Sequence, residues 1–556
     1  MSSQHANTHK AAQPPDFEWG FATASYQIEG GVDEDGRGTC IWDTFTHLEP
    51  SRTSGGTGDV ACDHYHQYED YQALLLLIGQ TIFNVFFHPL RSYPGPWYRA
   101  ASRLPYSISI FRGSVTHRVQ KLHEKYGQVV RITPDSLSYT SSQAWPDVYG
   151  LRQSQRRGNL PKDPKFYVKP PGSIDTISTA NDADHRRLRR LQAHAFSEKA
   201  LALQESYLQR YTGQFITCLE KEASQSGGVV DIVKWVNFLT TDLIGDLSFG
   251  ESFGGLDTGK VHPWLESLFN TLKTFTFMRE ILRLPPFLIA AAMAFIPEKM
   301  KKHEQESLSF GAAVAKRRLE RGSDRPDFMS YILKHQEEQE KGMSQAEIEM
   351  ASITFIVAGS ETTATMISGT IYLLLCNPSL LSRLTTVIRA DFPKESDLTN
   401  INLQQHEYLN AVLKEGLRLY PPAPDTLFRT TAKESAIVAG RVVPPHTKLT
   451  MNLWAAHRDP TNFRKPLEFI PERWVKEVPL EFSNDDRAVF KPFSVGPRDC
   501  IGKNLAWAEM RLILAKLLWS FDLLSLQEDS EQWIERQKIF SLWEKLPLNV
   551  KVTYVR

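Results

Sequence analysis

Along this chain the clearest pattern of hydrophobic positions is a long apolar run from Ile348 to Leu375. Ser344-Gln345-Ala346-Glu347 opens it as a capping box, Ser at the N-cap and Glu at N3, and no proline follows before Pro378, so a long helix is predicted. The run is apolar enough for a membrane span. Glu361, set among Gly359, Ser360, Thr362 and Thr363, makes lipid an expensive home and points instead to a central helix buried in protein. Ala73 to Phe87 is a second apolar run, but it carries Gln80 and Asn84 and falls short of the roughly 20 apolar residues that a spanning helix needs. Asn504 to Leu518, free of Pro and Gly, reads as a helix. So does the segment that opens at Asp184-His185-Arg186-Arg187-Leu188-Arg189-Arg190, while Leu122 to Gly127 ends a helix on a glycine and Val129 to Ile132 begins a strand. From residue 91 to 556 the pattern is that of one large domain, mainly α with a small β part. Residues 1–15, polar and without periodicity, read as a disordered tail, and the lack of an apolar core before Phe17 argues against a secretory signal.

Composition changes this picture little. Hydrophobic residues make up 41% of the 556 and charged residues 23%, ordinary for a soluble or peripherally anchored enzyme. A formal net charge of zero gives no whole-chain field that would attract nucleic acid. Five scattered cysteines (Cys40, Cys62, Cys218, Cys376, Cys500), odd in number and without a C-x-x-C pair, argue against a disulfide framework or a zinc site and for a reducing, cytosol-facing environment.

One cysteine stands apart. In Phe493-Ser494-Val495-Gly496-Pro497-Arg498-Asp499-Cys500-Ile501-Gly502 the glycines permit a tight turn and the close approach of a flat ligand. Cys500 falls just before a predicted helix, whose exposed N–H groups stabilise a thiolate. Arg498 adds a positive charge suited to a carboxylate on whatever the sulfur binds. Cys500 is therefore read as a metal ligand in a site that wants an anionic cofactor, against the bland alternative of a packed core thiol.

The spaced pattern Phe-x-x-Gly-x-Arg-x-Cys-x-Gly resembles the haem-binding signature of the cytochrome P450 family at every fixed position. The resemblance covers residues 91–556 and implies the P450 fold around a buried haem b. Cys500 would be the axial iron ligand, favouring O–O cleavage, with Phe493 and Gly502 belonging to the same cofactor loop. Ala358-Gly359-Ser360-Glu361-Thr362-Thr363 resembles the family's oxygen-binding kink. There Gly359 leaves room for dioxygen, and Thr362 with its acidic neighbour Glu361 bridges water that carries protons. His185 and Arg189, four apart on one helix face, match a propionate-binding pair, with His where many relatives have Trp; Arg429 and Arg498 match two further propionate-binding arginines. Glu415-Gly416-Leu417-Arg418, followed by Phe469-Ile470-Pro471-Glu472-Arg473-Trp474, resembles the buried structural network of Glu415, Arg418 and Arg473. By the same analogy Phe355, Ala358, Pro424 to Leu427 and Leu542 line an apolar pocket. The C-terminal segment resembles fungal secondary-metabolite members. The implied activity is insertion of one oxygen atom from O₂ into a lipophilic small molecule. Electrons would come from NADPH through a separate NADPH-cytochrome P450 reductase, since no flavin or nicotinamide domain is visible. Arg186, Arg187 and Arg190 form either a solvated face or a docking surface for that acidic partner. Residues 73–90 resemble the downstream half of a microsomal anchor followed by a Pro94-Gly95-Pro96 hinge, so weak membrane association on the cytosolic face of the endoplasmic reticulum is expected.

Residues 16–72 carry a different resemblance. Phe17-Glu18-Trp19-Gly20-Phe21-Ala22-Thr23-Ala24-Ser25-Tyr26-Gln27-Ile28-Glu29-Gly30, then Ile41-Trp42-Asp43-Thr44-Phe45 and Asp59 to His66, are similar to the start of family 1 glycoside hydrolases, the β-glucosidase type. Retaining hydrolysis needs two carboxylates, and the Asn-Glu-Pro and Glu-Asn-Gly motifs that supply them there occur nowhere in this chain. An incomplete fragment without glycosidase activity is the reading, with a fused or mis-spliced gene model as its simplest account. Asp63, His64 and His66 lie together, but without further ligands they read as structural. Besides the glycosidase, two other functions compete with the monooxygenase: a haem-thiolate isomerase or dehydratase, which the retained Thr362 disfavours, and a noncatalytic haem sensor.

Overall fold

The computed structural model describes residues 34, 38–60, 63, 74–151, 159–168, 174–284, 289, 298–321, 325–337 and 342–556. The chain divides into two compact units, Met1–Phe86 and Phe87–Arg556. In the first, Ile41–Leu48 is a helix whose Asp43 carboxylate accepts from the Cys40 N–H at 2.7 Å. The glycosidase-like stretch from Phe17 to Gly30, and with it Cys62, His64 and His66, lies outside the described residues. Leu74–Phe87 is an apolar helix in which Gln80 Nε2 donates to Asn84 Oδ1 at 2.9 Å, so the two polar side chains of the run satisfy each other. Among the described residues no single helix is long and apolar enough to cross a membrane.

The second unit is mostly helical. Its main elements in chain order are α1 (Val115–Tyr126), β1 (Val129–Thr133), β2 (Ser136–Tyr139), α2 (Asp182–Ala193), α3 (Glu198–Gln225), β3 (Val229–Asp231), α4 (Ile232–Phe249), α5 (Pro263–Ile281), α6 (Gln345–Leu375) and α7 (Glu407–Leu419). There follow β4 (Thr426–Thr430), β5 (Ala436–Val438), β6 (Arg441–Val443), β7 (Lys448–Met451), α8 (Lys503–Ser520), β8 (Phe521–Leu526), β9 (Lys538–Phe540), β10 (Leu542–Glu544) and β11 (Asn549–Tyr554). The largest sheet has the order β1-β2-β7-β4, with β2 and β7 parallel and the other pairs antiparallel. The smaller sheets are β3-β11-β8, β9-β10 and β5-β6.

Local chemistry explains the boundaries. Ser344 Oγ accepts from Glu347 N–H at 3.2 Å while Glu347 Oε2 accepts from Ser344 N–H at 2.8 Å, the reciprocal pair that starts α6. α2 begins two residues ahead of the expected Asp184, because Asn181 Oδ1 accepts from the Ala183 and Asp184 N–H groups at 2.9 and 3.0 Å and so takes the N-cap. The Pro94-Gly95-Pro96 segment is docked rather than hinged. Arg131 N–H donates to Pro94 O at 2.7 Å, and a Cβ on Gly95 would lie 2.5 Å from Arg131 O.

α6 is the buried centre of the unit, with Ile356, Ile367, Ile371 and Leu374 wholly enclosed; each such side chain contributes about 1.5–3 kcal/mol. Glycines set how near its neighbours come. A Cβ on Gly359 would stand 2.7 Å from Ile244 Cδ1 of α4, and one on Gly369 would stand 2.1 Å from Tyr420 Cδ1, just past α7. On α7, a Cβ on Gly416 would lie 2.3 Å from Thr370 Oγ1. Gly359 thus serves helix packing, which corrects its expected use as room for dioxygen.

Glu415, Arg418 and Arg473 have no exposed side-chain surface. Arg418 Nη2 and Nε donate to the two Glu415 oxygens at 2.7 and 2.9 Å, and Arg473 Nε reaches Glu415 Oε1 at 3.4 Å. Trp474 Nε1 adds a bond to Glu415 Oε2 at 2.8 Å, and Arg473 Nη1 donates to Asp485 Oδ2 at 2.5 Å. Asp485, which sequence reading missed, makes the cluster two cations against two anions, and the other Arg418 donors go to the carbonyls of His457, Pro466 and Glu468. Removing one member of a buried ionic set strands its partners. Arg473→Ala is expected to cost about 3–5 kcal/mol. Arg383→Ala, which removes the half-exposed Arg383–Glu472 pair at 2.6 Å, is expected to cost about 0–1 kcal/mol. Urea unfolding of both variants checks the contrast.

Candidate active site

Cys500 lies in the loop that leads into α8, two residues before its N-cap Gly502. The loop closes on itself: Cys500 N–H donates to Phe493 O at 2.9 Å and Asp499 N–H to Gly496 O at 3.1 Å. Gly496 has φ +80, and a Cβ there would fall 2.1 Å from Tyr149 O, so both backbone conformation and packing require glycine. Gly502 is different. Its φ is −84, and a Cβ would meet only the Phe196 ring at 3.9 Å, so the backbone does not demand glycine, and its lack of a side chain keeps that side of the loop open. The Phe493 ring packs near Trp507, centroids 6.0 Å apart.

Cys500 is exposed, yet burial is the largest influence on its thiol and pushes its pKa up. The two observations agree for a residue that lines an internal concavity. The Gly502 N–H, then Arg189 and Lys503, act in the opposite direction. The raised thiol runs against the expectation of a thiolate stabilised by the helix N-terminus, while Arg498, expected to meet a carboxylate of the ligand, has its guanidinium turned to Asp182 Oδ1 at 2.7 Å and Ala180 O at 2.8 Å. Burial outweighs the Gly502 N–H, Arg189 and Lys503, and a cation bound at the sulfur would add to them in favour of the thiolate.

Beside the loop, cationic side chains gather in excess. Arg429 on β4 is buried, and its Nε and Nη1 have no hydrogen-bond partner among the described residues; neither has Arg498 Nη1. His185 on α2 is also buried, its pKa driven down to about 4 by desolvation and then by Arg498, Lys162 and Arg189. Lys162, which sequence reading did not single out, has its pKa pushed down to about 6 by burial and by Arg498 and Arg429, and its Nζ donates to Ser178 O. Arg189 donates to the Asp499 carbonyl and to Asp499 Oδ1, the latter at 2.6 Å. With His185 and Lys162 largely uncharged at neutral pH, Arg189, Arg429 and Arg498 face two carboxylates, Asp182 and Asp499, in these contacts, which leaves one cation in excess. An anionic ligand with two acceptor groups fits this arrangement: it would take up the orphaned Arg429 and Arg498 donors, and the neighbouring thiol could ligate a metal at its centre.

On α6, Ala358 is exposed although it sits mid-helix in the core, so it borders interior open space, with Glu361 and Thr362 half-buried on the next turn. Thr362 Oγ1 donates to Ala358 O at 2.6 Å, leaving its lone pairs to accept from water. Glu361 pairs with Lys545. Thr363, on another face, donates to Glu509 Oε2 of α8 at 2.8 Å, while Glu509 Oε1 is buried without a partner among the described residues. Desolvation pushes the Glu509 pKa up to about 8. Phe355 is buried between Phe196 and Phe328, with centroids 5.2 and 5.6 Å away, so it is an aromatic core residue rather than pocket lining. Leu427, half-buried, adopts φ +64, a strained conformation in a bulged strand beside Arg429. Arg187 is not part of a solvated face, as its guanidinium bonds to Glu347 and to Gly342 O at 3.0 Å, tying α2 to the start of α6; Arg186 and Arg190 remain exposed.

Comparison with known proteins agrees with this geometry. A family model described as Cytochrome P450 matches residues 101–552, and one described as Glycosyl hydrolase family 1 matches residues 9–85. The chain is 42% identical over 486 residues to cytochrome P450 monooxygenase aclL of Aspergillus oryzae, covering 87% of this chain and 98% of that protein. It is 40% identical to averantin hydroxylase of Dothistroma septosporum, covering 86% and 90% respectively. To trichothecene C-15 hydroxylase of Fusarium sporotrichioides it is 38% identical, covering 89% and 96%.

Glu509 yields a pH prediction. Its folded pKa of about 8 stands above the ordinary value of 4.5, so the stability it contributes is present in full below pH 4.5 and is lost as pH rises through 8. Across that window wild type should lose up to about 1.4 kcal/mol of stability per pH unit relative to Glu509→Gln. Parallel pH profiles of urea unfolding for the two proteins would rule the assignment out.

Proposed function

Because the chain belongs to the cytochrome P450 family and is a monooxygenase, we propose that it oxidises a lipophilic small molecule in fungal secondary metabolism, using haem b, O₂ and electrons from a separate NADPH-cytochrome P450 reductase. The observation that carries the cofactor assignment is the set of orphaned, buried donors on Arg429 and Arg498, the latter two residues from Cys500 in the same loop. Cys500 would ligate the iron, and Arg429 and Arg498, with His185 and Arg189, would meet the propionates. Bound through a thiolate, haem supplies dioxygen activation with the electron push that favours O–O cleavage. One oxygen atom enters a C–H or C=C bond of the substrate, and the other leaves as water after taking two electrons from NADPH and two protons. The protein's part in that delivery falls to α6. Thr362 Oγ1, its proton committed to Ala358 O, accepts from a water that Glu361 helps to order. The substrate class follows the relatives' names, and averantin and a trichothecene are the first compounds to include in a substrate panel. Exposed Arg186 and Arg190 on α2 suit an acidic reductase surface.

We also place the protein on the cytosolic face of the endoplasmic reticulum membrane. Trp97, Tyr98, Leu104, Ile108 and Phe111 are exposed, as are Leu282 and Leu284 just beyond α5, and Phe111 packs on Phe277 of α5 with centroids 5.5 Å apart. The two segments thus meet, and together they form an apolar surface of the kind that enters a lipid interface.

Three experiments test these readings. Reduced protein with carbon monoxide should show the red-shifted Soret band of thiolate ligation, and Cys500→Ser should lose it. With the reductase and the panel, Thr362→Ala should bind haem normally yet divert most NADPH to hydrogen peroxide and sharply cut product per NADPH, as expected for loss of a positioned proton-transfer group; unchanged coupling would move weight to an isomerase. For the membrane, the double variant Leu104→Glu/Ile108→Glu should float less well with anionic phosphatidylcholine/phosphatidylserine vesicles than wild type. Equal flotation would remove the apolar surface from the argument.

A further inference from the structure

Glu361 is enclosed rather than open to solvent. Its carboxylate is paired with Lys545 Nζ, and the same Nζ donates to Thr365 Oγ1 at 2.9 Å, one turn further along α6. The Lys545 side chain is 4% exposed and that of Glu361 14%. A lysine this deep is rare unless paired, and here both its partners come from the helix that carries Thr362.

The segment that brings Lys545 there is held firmly. Trp543 on β10 is buried, donates from Nε1 to Pro421 O at 2.9 Å, and lies 4.5 Å from the Tyr420 ring. Glu544 pairs with Lys273 at 2.5 Å. At the β9–β10 turn Ser541, with φ +69, accepts from Arg279 Nη2 of α5 at 2.7 Å. The hairpin is therefore bonded to α5 at its tip and, through Lys545, to α6 beyond its end.

We propose that Lys545 is a positioning residue for proton delivery: it fixes the Glu361 carboxylate along α6 next to Thr362, and thereby sets how much NADPH ends in product rather than in hydrogen peroxide. The inference rests on the monooxygenase reading and adds to it the residue that holds the acid. Without Lys545 the glutamate would be an enclosed, unpaired carboxylate, and it would turn toward any water it could reach, away from Thr362. Thr365 keeps the ammonium from swinging out with it. A lysine that merely tied the C-terminal segment down would affect stability and leave proton delivery alone.

The test compares wild type, Lys545→Met, Lys545→Arg, Glu361→Gln and the double variant Lys545→Met/Glu361→Gln, all haem-loaded, with the reductase and whichever panel compound gives wild type most product. Peroxide and product per NADPH are measured together with thermal unfolding. Lys545→Met and Glu361→Gln should each raise the peroxide share about threefold or more, and the double variant should be no worse than either, the non-additivity of two groups acting as one unit. Lys545→Arg should restore most of the coupling. Lys545→Met that lowers the melting temperature with coupling unchanged overturns the proposal, as does a double variant whose effects multiply. Should Lys545→Met not fold, Thr365→Val, which leaves the ion pair and removes its second anchor, should still raise the peroxide share, and normal coupling in it overturns the proposal too. A wild type that forms product normally while Lys545→Met matches it sinks only the role of Lys545; a wild type that consumes no NADPH with any panel compound sinks the monooxygenase function and this inference with it.

Discussion

The second unit depends on an electrostatic imbalance next to Cys500. Arg429 is buried and the Arg498 side chain largely enclosed, both with donor atoms that the described residues leave unaccepted, and Arg189 adds to the same positive field. Each buried donor left unmade costs on the order of 1–3 kcal/mol, and burial first, then the neighbouring arginines, keeps His185 and Lys162 from taking up further positive charge. A ligand with acceptor groups placed to meet these donors would offset that cost. Folding of the β4 and α2 neighbourhoods would then be linked to its binding.

α6 has to serve two requirements at once. Its core faces must come close to α4 and α7, which is why Gly359, Gly369 and, opposite, Gly416 lack side chains. Its remaining face carries Ala358, Glu361 and Thr362 beside open space. The helix can bury so many apolar groups and still present an acid because charges from elsewhere come to meet it: Lys545 at Glu361, Arg187 at Glu347. A carboxylate on a core helix is tolerable when its cation is delivered by another element.

What sequence made legible was local or motif-borne. Ser344 and Glu347 announce the start of α6 because both halves of the cap lie within four residues. Cys500 and its loop could be read because glycines, arginine and cysteine keep fixed short spacings. Glu415, Arg418 and Arg473 were legible through two such motifs, but Asp485 was not, since it lies in an irregular segment with no pattern of its own. Lys545 stands 184 positions from Glu361 in the chain, and Glu509 stands 146 from Thr363. Their pairings are products of packing, and neither residue differs in sequence from an ordinary surface charge on a strand end or a helix. Arg187 was misread for the same reason, its position on a basic helix face giving no sign of the glutamate that caps a helix 160 residues later.

Two buried arginine clusters in one unit show how a structural ion can be told from a ligand-binding one. Arg418 and Arg473 are matched by Glu415 and Asp485, with every remaining contact going to a carbonyl, so the cluster is neutral and closed. Arg429 and Arg498 are somewhat less deeply placed, and their set holds more cations than carboxylates and keeps free donors. Both kinds of arginine appear in sequence as conventional motif positions, and burial alone does not separate them. Between these two clusters charge balance does, since an unbalanced buried cation with free donors is the one that an anionic ligand would complete. By that criterion Arg189 lies between the two. Its pairing with Asp499 gives it a protein partner, while the loop that carries Asp499 also carries Cys500, so its main effect is to hold the thiol loop against α2 and, only through that, to shape the ground on which the cofactor sits.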